Sequence, residues 1–222
     1  MLQIESQGAR AHFLWLVWLT ALALALLLTV LAAGYAWFPG DVRLARGIQD
    51  FDGGRLASYL GTAVYHLGRS PLLLVSGGAI AAAFLACRHN LAALFVLVSV
   101  GLSSFGSLLK ELAERPRPVA SVVEVNEQAA GFSFPSGHVL GSVLLWGFLF
   151  YLAAMTIPHR GIRLLVQTFC LLVPLLTGLQ RVQAGAHWPS DVFGGFLWGL
   201  ILLFLIIKAF NHLNLRDETP AR

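Results

Sequence analysis

Six apolar runs govern what this chain can become. They fall at about residues 13–33, 71–87, 91–110, 139–157, 164–180 and 191–210. Most reach the ~20 apolar residues that a helix needs to cross the hydrocarbon core of a bilayer, and the second is short. Hydrocarbon offers no water to backbone N–H and C=O groups, so such runs fold as helices. The expectation is an all-α integral membrane bundle of six transmembrane helices, in a single domain over residues 1–222. Charged residues make up only 12% of the chain, against about 25% in soluble domains, which argues against a large soluble helical protein. The first run exceeds the ~7–15-residue core of a signal peptide, even with Ala32-Ala33-Gly34 at its end, and reads as an anchor.

The segments between the runs are polar and short, with two exceptions. Residues 34–70 break at Pro39-Gly40 and Gly53-Gly54. Within them Leu56, Tyr59, Leu60, Ala63, Val64 and Leu67 recur at helical spacing, with Arg55, Ser58, Thr62, His66 and Arg69 between. That pattern predicts an amphipathic helix between the first two spans, lying in the membrane interface or packed on the end of the bundle. Residues 111–137 form a polar loop with Arg115, Arg117 and several glutamates. Pro174 predicts a kink in the fifth span. Gly195 and Gly199 form the spacing of a close helix contact. Trp15, Trp18, Trp37, Trp188 and Tyr35 are candidate interface anchors. Cys87 and Cys170 make neither a disulfide framework nor a zinc pattern, and both read as helix-packing residues.

The net charge is +4, and the fifteen Lys and Arg are scattered. No basic block points to nucleic acid. Six spans put both termini on one side, together with Arg10, Arg88, Arg160, Arg163, Lys208, Arg216 and Arg222. The other side holds Arg43, Arg46, Arg55, Arg69, Lys110, Arg115, Arg117 and Arg181. Setting aside Lys110, Arg117 and Arg181 as site residues leaves seven cations against five. The retained-charge rule then favours termini in the cytoplasm.

Three short strings carry the chemistry. Lys110 precedes Arg117-Pro118 by seven residues, Pro135-Ser136-Gly137-His138 follows, and Arg181 leads to His187 and Asp191. Span parity puts all three on one side of the membrane. Ionisable groups at the ends of apolar segments are costly and mark functional sites. Phosphoryl transfer needs positioning and charge stabilisation above all, and Lys110, Arg117 and Arg181 supply three cations. The planar arginine fork suits a tetrahedral oxyanion. Ser136 stands where an N-cap is expected, so its hydroxyl and the first free amides of the helix can meet an anion. Gly137 lets backbone come close to an oxygen. His138 can then protonate a leaving oxygen. His187 and Asp191, four apart with Pro189 in the first turn, place an imidazole and a carboxylate on one face. A carboxylate on one ring nitrogen fixes the tautomer and leaves the other nucleophilic.

These strings resemble the three signature motifs of the type 2 phosphatidic acid phosphatase (PAP2) superfamily. The resemblance implies that His187 is the nucleophile, Asp191 its orienting partner and His138 the acid. It implies that Lys110, Arg117, Ser136, Gly137 and Arg181 hold the phosphate. It further implies a phosphohistidine intermediate and a metal-independent reaction with no cofactor, and no carboxylate cluster here has metal spacing. The family usually places Ser before the third-motif Arg, whereas this chain has Gln180. Glu124 and Glu127 are further candidates for headgroup contact; His12, His66, His89, His159 and His212 are not. The implied protein is a bacterial lipid phosphatase of the cytoplasmic (inner) membrane with its active site facing the periplasm or exterior. Its partners would be the bilayer and a lipid phosphate of the undecaprenyl diphosphate, phosphatidylglycerol phosphate or phosphatidic acid type. The alternatives are a phosphotransferase that passes the group to a lipid such as lipid A, a non-catalytic lipid-binding membrane protein, and vanadate-dependent haloperoxidase chemistry on the same site.

Overall fold

The computed structural model describes residues 2–51 and 70–217. The amphipathic helix expected around Leu56 to Leu67 lies outside them. Among the described residues the fold is all-α. Helix α1 spans Leu2–Gly34, α2 Asp41–Gln49, α3 Ser70–Ala86 and α4 Asn90–Gly101. A 3-10 turn, Leu102–Ser104, joins α4 to α5, Phe105–Ala113. Then come α6, Gly137–Thr156, α7, Arg160–Gln183, and α8, Pro189–Asp217.

Among the described residues, five segments are long and apolar enough to cross a membrane: His12–Gly34, Asn90–Ala113, Gly137–Thr156, Arg160–Gln183 and Pro189–Leu215. The sixth run forms the shorter α3, apolar over Leu72–Ala86. Every apolar run coincides with helix, and several helices extend beyond their run. α1 starts well before residue 13, α7 takes in Arg160 and Arg163, and α8 continues past residue 210. Hydropathy marks the stretch that suits lipid; the polar turns that continue a helix into headgroups and water do not register as apolar. Pro174 sits inside α7 without ending it.

α6 is the central element. Of its most apolar window 61% is buried, against 11% for α1, and its largest contacts are with α7 and α8. Leu140, Leu144, Leu145, Phe148 and Leu152 fill the core from it. α8 lies close against α6 because its glycines permit it. A Cβ on Gly195 would sit 2.7 Å from the Ser136 carbonyl oxygen, and one on Gly199 would sit 2.8 Å from Val143. This is the close packing expected of that pair. α1 is tied to α8 by two indoles: Trp18 donates to the Ile201 carbonyl at 3.1 Å, and Trp198 donates to Thr29 Oγ1 at 3.1 Å.

Several expectations need correction. α2 was not foreseen, because its polar composition hides a narrow apolar edge. Val42, Ala45 and Ile48 pack there on Val123, Val182 and Trp188. The break at Pro39-Gly40 is real, with Gly40 at φ 103. Trp188 is fully buried and is no interface anchor. Cys170 is buried in α7, but Cys87 is exposed in the turn after α3.

Candidate functional site

The three strings converge at one end of the bundle. Lys110 stands in the last turn of α5, Ser136 and His138 at the start of α6, and Arg181 in the last turn of α7. His187 lies in the short link to α8, and Asp191 in the first turn of α8. Ser136 N–H donates to the Asp191 carbonyl at 3.0 Å, which seats the second string on the third. A Cβ on Gly137 would lie 3.9 Å from Lys110 Cε, which brings the first string to the second. His138 is within electrostatic reach of Arg181, His187 and Lys110. All eight motif residues thus gather at one end of the bundle.

Asp191 and His187 form its deepest part. Both are buried. Asp191 Oδ2 lies 3.6 Å from His187 Nδ1, accepts from the Trp188 N–H at 2.8 Å, and accepts from the Ser133 hydroxyl. The carboxylate thus lies beside the imidazole and satisfies a free amide at the start of α8. Across the ring, His187 Nε2 faces Arg117 Nη1 at 3.4 Å. Burial pushes the imidazole from its ordinary 6.5 down to about 4, against the pull of Asp191, with Arg117 and Lys110 adding to the depression. The ring is neutral at physiological pH, and with Nδ1–H toward Asp191 its Nε2 lone pair points at the cations.

Arg117 is fixed by three backbone carbonyls: Nη1 donates to Ala186 at 2.7 Å, Nε to Gly131 at 2.9 Å and Nη2 to Ala130 at 2.9 Å. Burial lowers its pKa, and Asp191 and Glu127 oppose this while Arg181 adds to it. Arg181 is fully buried and pairs with Glu127. Gln180, at the position of the family's usual serine, turns its Oε1 onto Arg181 Nε and Nη2 at 2.8 and 2.6 Å. Ser136 occupies the N-cap position of α6, but its side chain makes no cap hydrogen bond. Among the described residues its Oγ is instead buried with no hydrogen-bond partner.

Sequence reasoning missed the groups behind Asp191. Arg115, fully buried, donates Nη1 to Asp191 Oδ1 at 2.6 Å and Nη2 to Asp41 Oδ2 at 2.9 Å. Its Nε reaches the Tyr35 carbonyl at 3.2 Å, and its guanidinium lies 4.4 Å from the Phe38 ring centroid. Ser190 joins the same network, with its N–H on Asp41 Oδ1 at 2.9 Å and its hydroxyl on Asp41 Oδ2 at 2.7 Å. The Pro-bracketed Arg115-Pro116-Arg117 run was the available signal for Arg115. Asp41 had none, being 150 residues away in a stretch read as irregular.

A cavity of about 440 Å³ adjoins the pocket. Leu73, Leu74 and Val100 line one part, Ser103, Ser104 and Ser107 another, and Lys110, Gly137 and His138 the end at the site.

Known proteins resemble this chain in sequence and fold. The PAP2 superfamily model matches residues 92–214. A phosphatidylglycerophosphatase B of Bacillus subtilis is 33% identical over 153 residues, covering 68% of this chain and 73% of that relative. An undecaprenyl-diphosphatase of the same organism is 35% identical over 95 residues, covering 42% of this chain and 44% of that relative. The crystal structure of a transmembrane PAP2 type phosphatidylglycerolphosphate phosphatase from Bacillus subtilis superposes with a TM-score of 0.69 at 26% identity, covering 90% of this chain and 98% of that chain.

Proposed function

Since the chain belongs to the PAP2 superfamily and is an integral membrane phosphatase-type hydrolase, we propose that it removes a terminal phosphate from a membrane lipid. The observation that carries the lipid reading is the cavity. Its lining combines apolar side chains of α3 and α4 with Lys110 and His138. A lipid can keep its tail among hydrocarbon while its phosphate enters the cationic pocket. A phosphate of a soluble metabolite would need no such lining.

The proposed chemistry gives every motif residue a role. The phosphate rests on Lys110, Arg117, Arg181, the Ser136 hydroxyl and the amides near Gly137. His187 Nε2 attacks phosphorus and forms an N–P bond while the P–O bond to the lipid breaks. His138 gives its proton to the departing oxygen. Asp191 holds the tautomer and balances the positive charge that develops on His187; the 3.6 Å contact shortens as the complex forms, as catalytic hydrogen bonds commonly do. Water, giving its proton to His138, then attacks phosphorus, the N–P bond breaks, and inorganic phosphate leaves. The substrates supported by the relatives are phosphatidylglycerol phosphate and undecaprenyl diphosphate. The site faces the exterior of a bacterial cytoplasmic membrane.

The test is phosphate release from a panel of purified lipid mono- and diphosphates by the protein in detergent, with chelator present and no acceptor lipid. Release from at least one of them is expected. Release only when an acceptor lipid is added would make the protein a transferase, and no turnover with any would end the enzyme reading.

A further inference from the structure

Glu127 already engages a cation that the proposed chemistry needs. Its carboxylate meets Arg181 Nη1 at 3.1 Å and Nη2 at 2.7 Å. Gln180 Oε1 takes Nε and Nη2 at 2.8 and 2.6 Å. A guanidinium has five N–H donors in a fixed fork, and most of that fork is thereby in use. Two carboxylate oxygens on its edge reproduce the pattern of two phosphate oxygens. The charge lies within the pocket's field, because Glu127 acts electrostatically on Arg117 and His138 as well.

The carboxylate is delivered by a seated backbone. Asn126 and Glu127 N–H groups both donate to the Ala184 carbonyl, at 3.0 and 3.1 Å. The next residue, Gly185, has φ +67, and a Cβ there would come within 2.0 Å of the Glu124 carbonyl oxygen. Residues 124–127 therefore rest on the turn that leads to His187. The side chain itself is 32% exposed while Arg181 is fully buried. Glu127 can swing toward solvent; Arg181 has nowhere to go.

We propose that Glu127 is an internal anion that competes with phosphate for Arg181 and so sets the affinity of the site. This rests on the reading of Arg181 as a phosphate ligand. A ligand that must wait for its cation binds more weakly, by the fraction of time that the cation is available. The reduction applies equally to substrate and to inorganic phosphate. For the product it is useful: a dianion held by three cations in a buried site would leave slowly, and a tethered carboxylate that returns to Arg181 favours its departure. No bond is made or broken in the exchange.

The experiment is direct titration of inorganic phosphate into the purified protein and its Glu127→Gln and Glu127→Ala variants, with phosphate release from a lipid phosphate followed in parallel. Both variants are expected to bind phosphate about two- to fivefold more tightly than wild type, the size of a partly exposed ion pair, with KM falling in step. Wild-type or weaker affinity in both variants would overturn the proposal even if the enzyme is fully active. Tighter binding in an otherwise inactive protein would support the role of Glu127 and refute the phosphatase reading instead. Absence of phosphate binding in all three would remove the phosphate site and this inference together.

Discussion

Asp191 receives more from its surroundings than a motif residue's spacing suggests. Its Oδ1 is held by Arg115 and its Oδ2 by Ser133 and the Trp188 amide, with His187 Nδ1 3.6 Å away. Arg115 in turn neutralises Asp41, so two buried carboxylates depend on one buried cation. Breaking such a pair from one side typically costs ~3–5 kcal/mol, because the remaining charges lose compensation. Arg115→Ala is expected to lower the thermal unfolding midpoint in detergent by an amount matching that loss, and an unchanged midpoint would remove Arg115 from the framework. His187 gives a pH prediction. Its folded pKa is depressed from 6.5 to about 4, chiefly by burial. The neutral form is therefore the stable one in the fold; its contribution is complete above 6.5 and lost as pH falls through about 4. The acid limb of turnover, corrected for the substrate's own ionisation, should lie well below 6.5, with loss of neutral His187 only toward 4. An acid limb centred near 6.5 would contradict this environment.

At the scale of elements, the site exists because α8 can lie against α6. Gly195 faces the Ser136 carbonyl and Gly199 faces Val143, so the spacing of two glycines holds the second string on the third. Gly195→Ala adds a methyl where backbone already stands. Overpacking of this kind costs about 1–3 kcal/mol, and here it pushes Ser136 away from Asp191. Phosphate release should fall at least tenfold while the protein still purifies as a helical species by circular dichroism; wild-type turnover would show that the contact does not position the site. The same contrast explains what could be read in advance. Gly195 and Gly199, the apolar runs and the three strings carry local signals of spacing and hydropathy. α2 carries almost none: Asp41 and Ala45 are buried in a helix of mixed polarity, and their value appears only when Trp188 and Arg115 arrive from distant parts of the chain. The buried state of Trp188 was equally invisible, since an indole reads alike at an interface and in a core. Gln180 was visible as a departure from the family pattern, but its turn onto Arg181 depends on the neighbouring loop.

For the whole molecule, the site and the Cys87 turn lie at opposite ends of the bundle. Asn90 begins the span that ends beyond Lys110, and the Cys87 turn shares its end with Thr156 and Asn214, the far ends of α6 and α8. Cys87 is exposed and Cys170 is buried in α7, so the native thiols report orientation without engineering. With the site facing outward, a membrane-impermeant maleimide should label Cys87 only after the cytoplasmic face is opened. Labelling on intact spheroplasts would reverse the proposed orientation. The account as a whole depends on His187 forming a bond to phosphorus inside the assembled pocket. The most direct measurement is rapid quench with lipid phosphate labelled in its terminal group, followed by base-stable, acid-labile radioactivity on the protein. The expected result is transient label on wild type that maps to the His187 peptide and is absent from His187→Ala. Full turnover by His187→Ala, or label on a different residue, would contradict it.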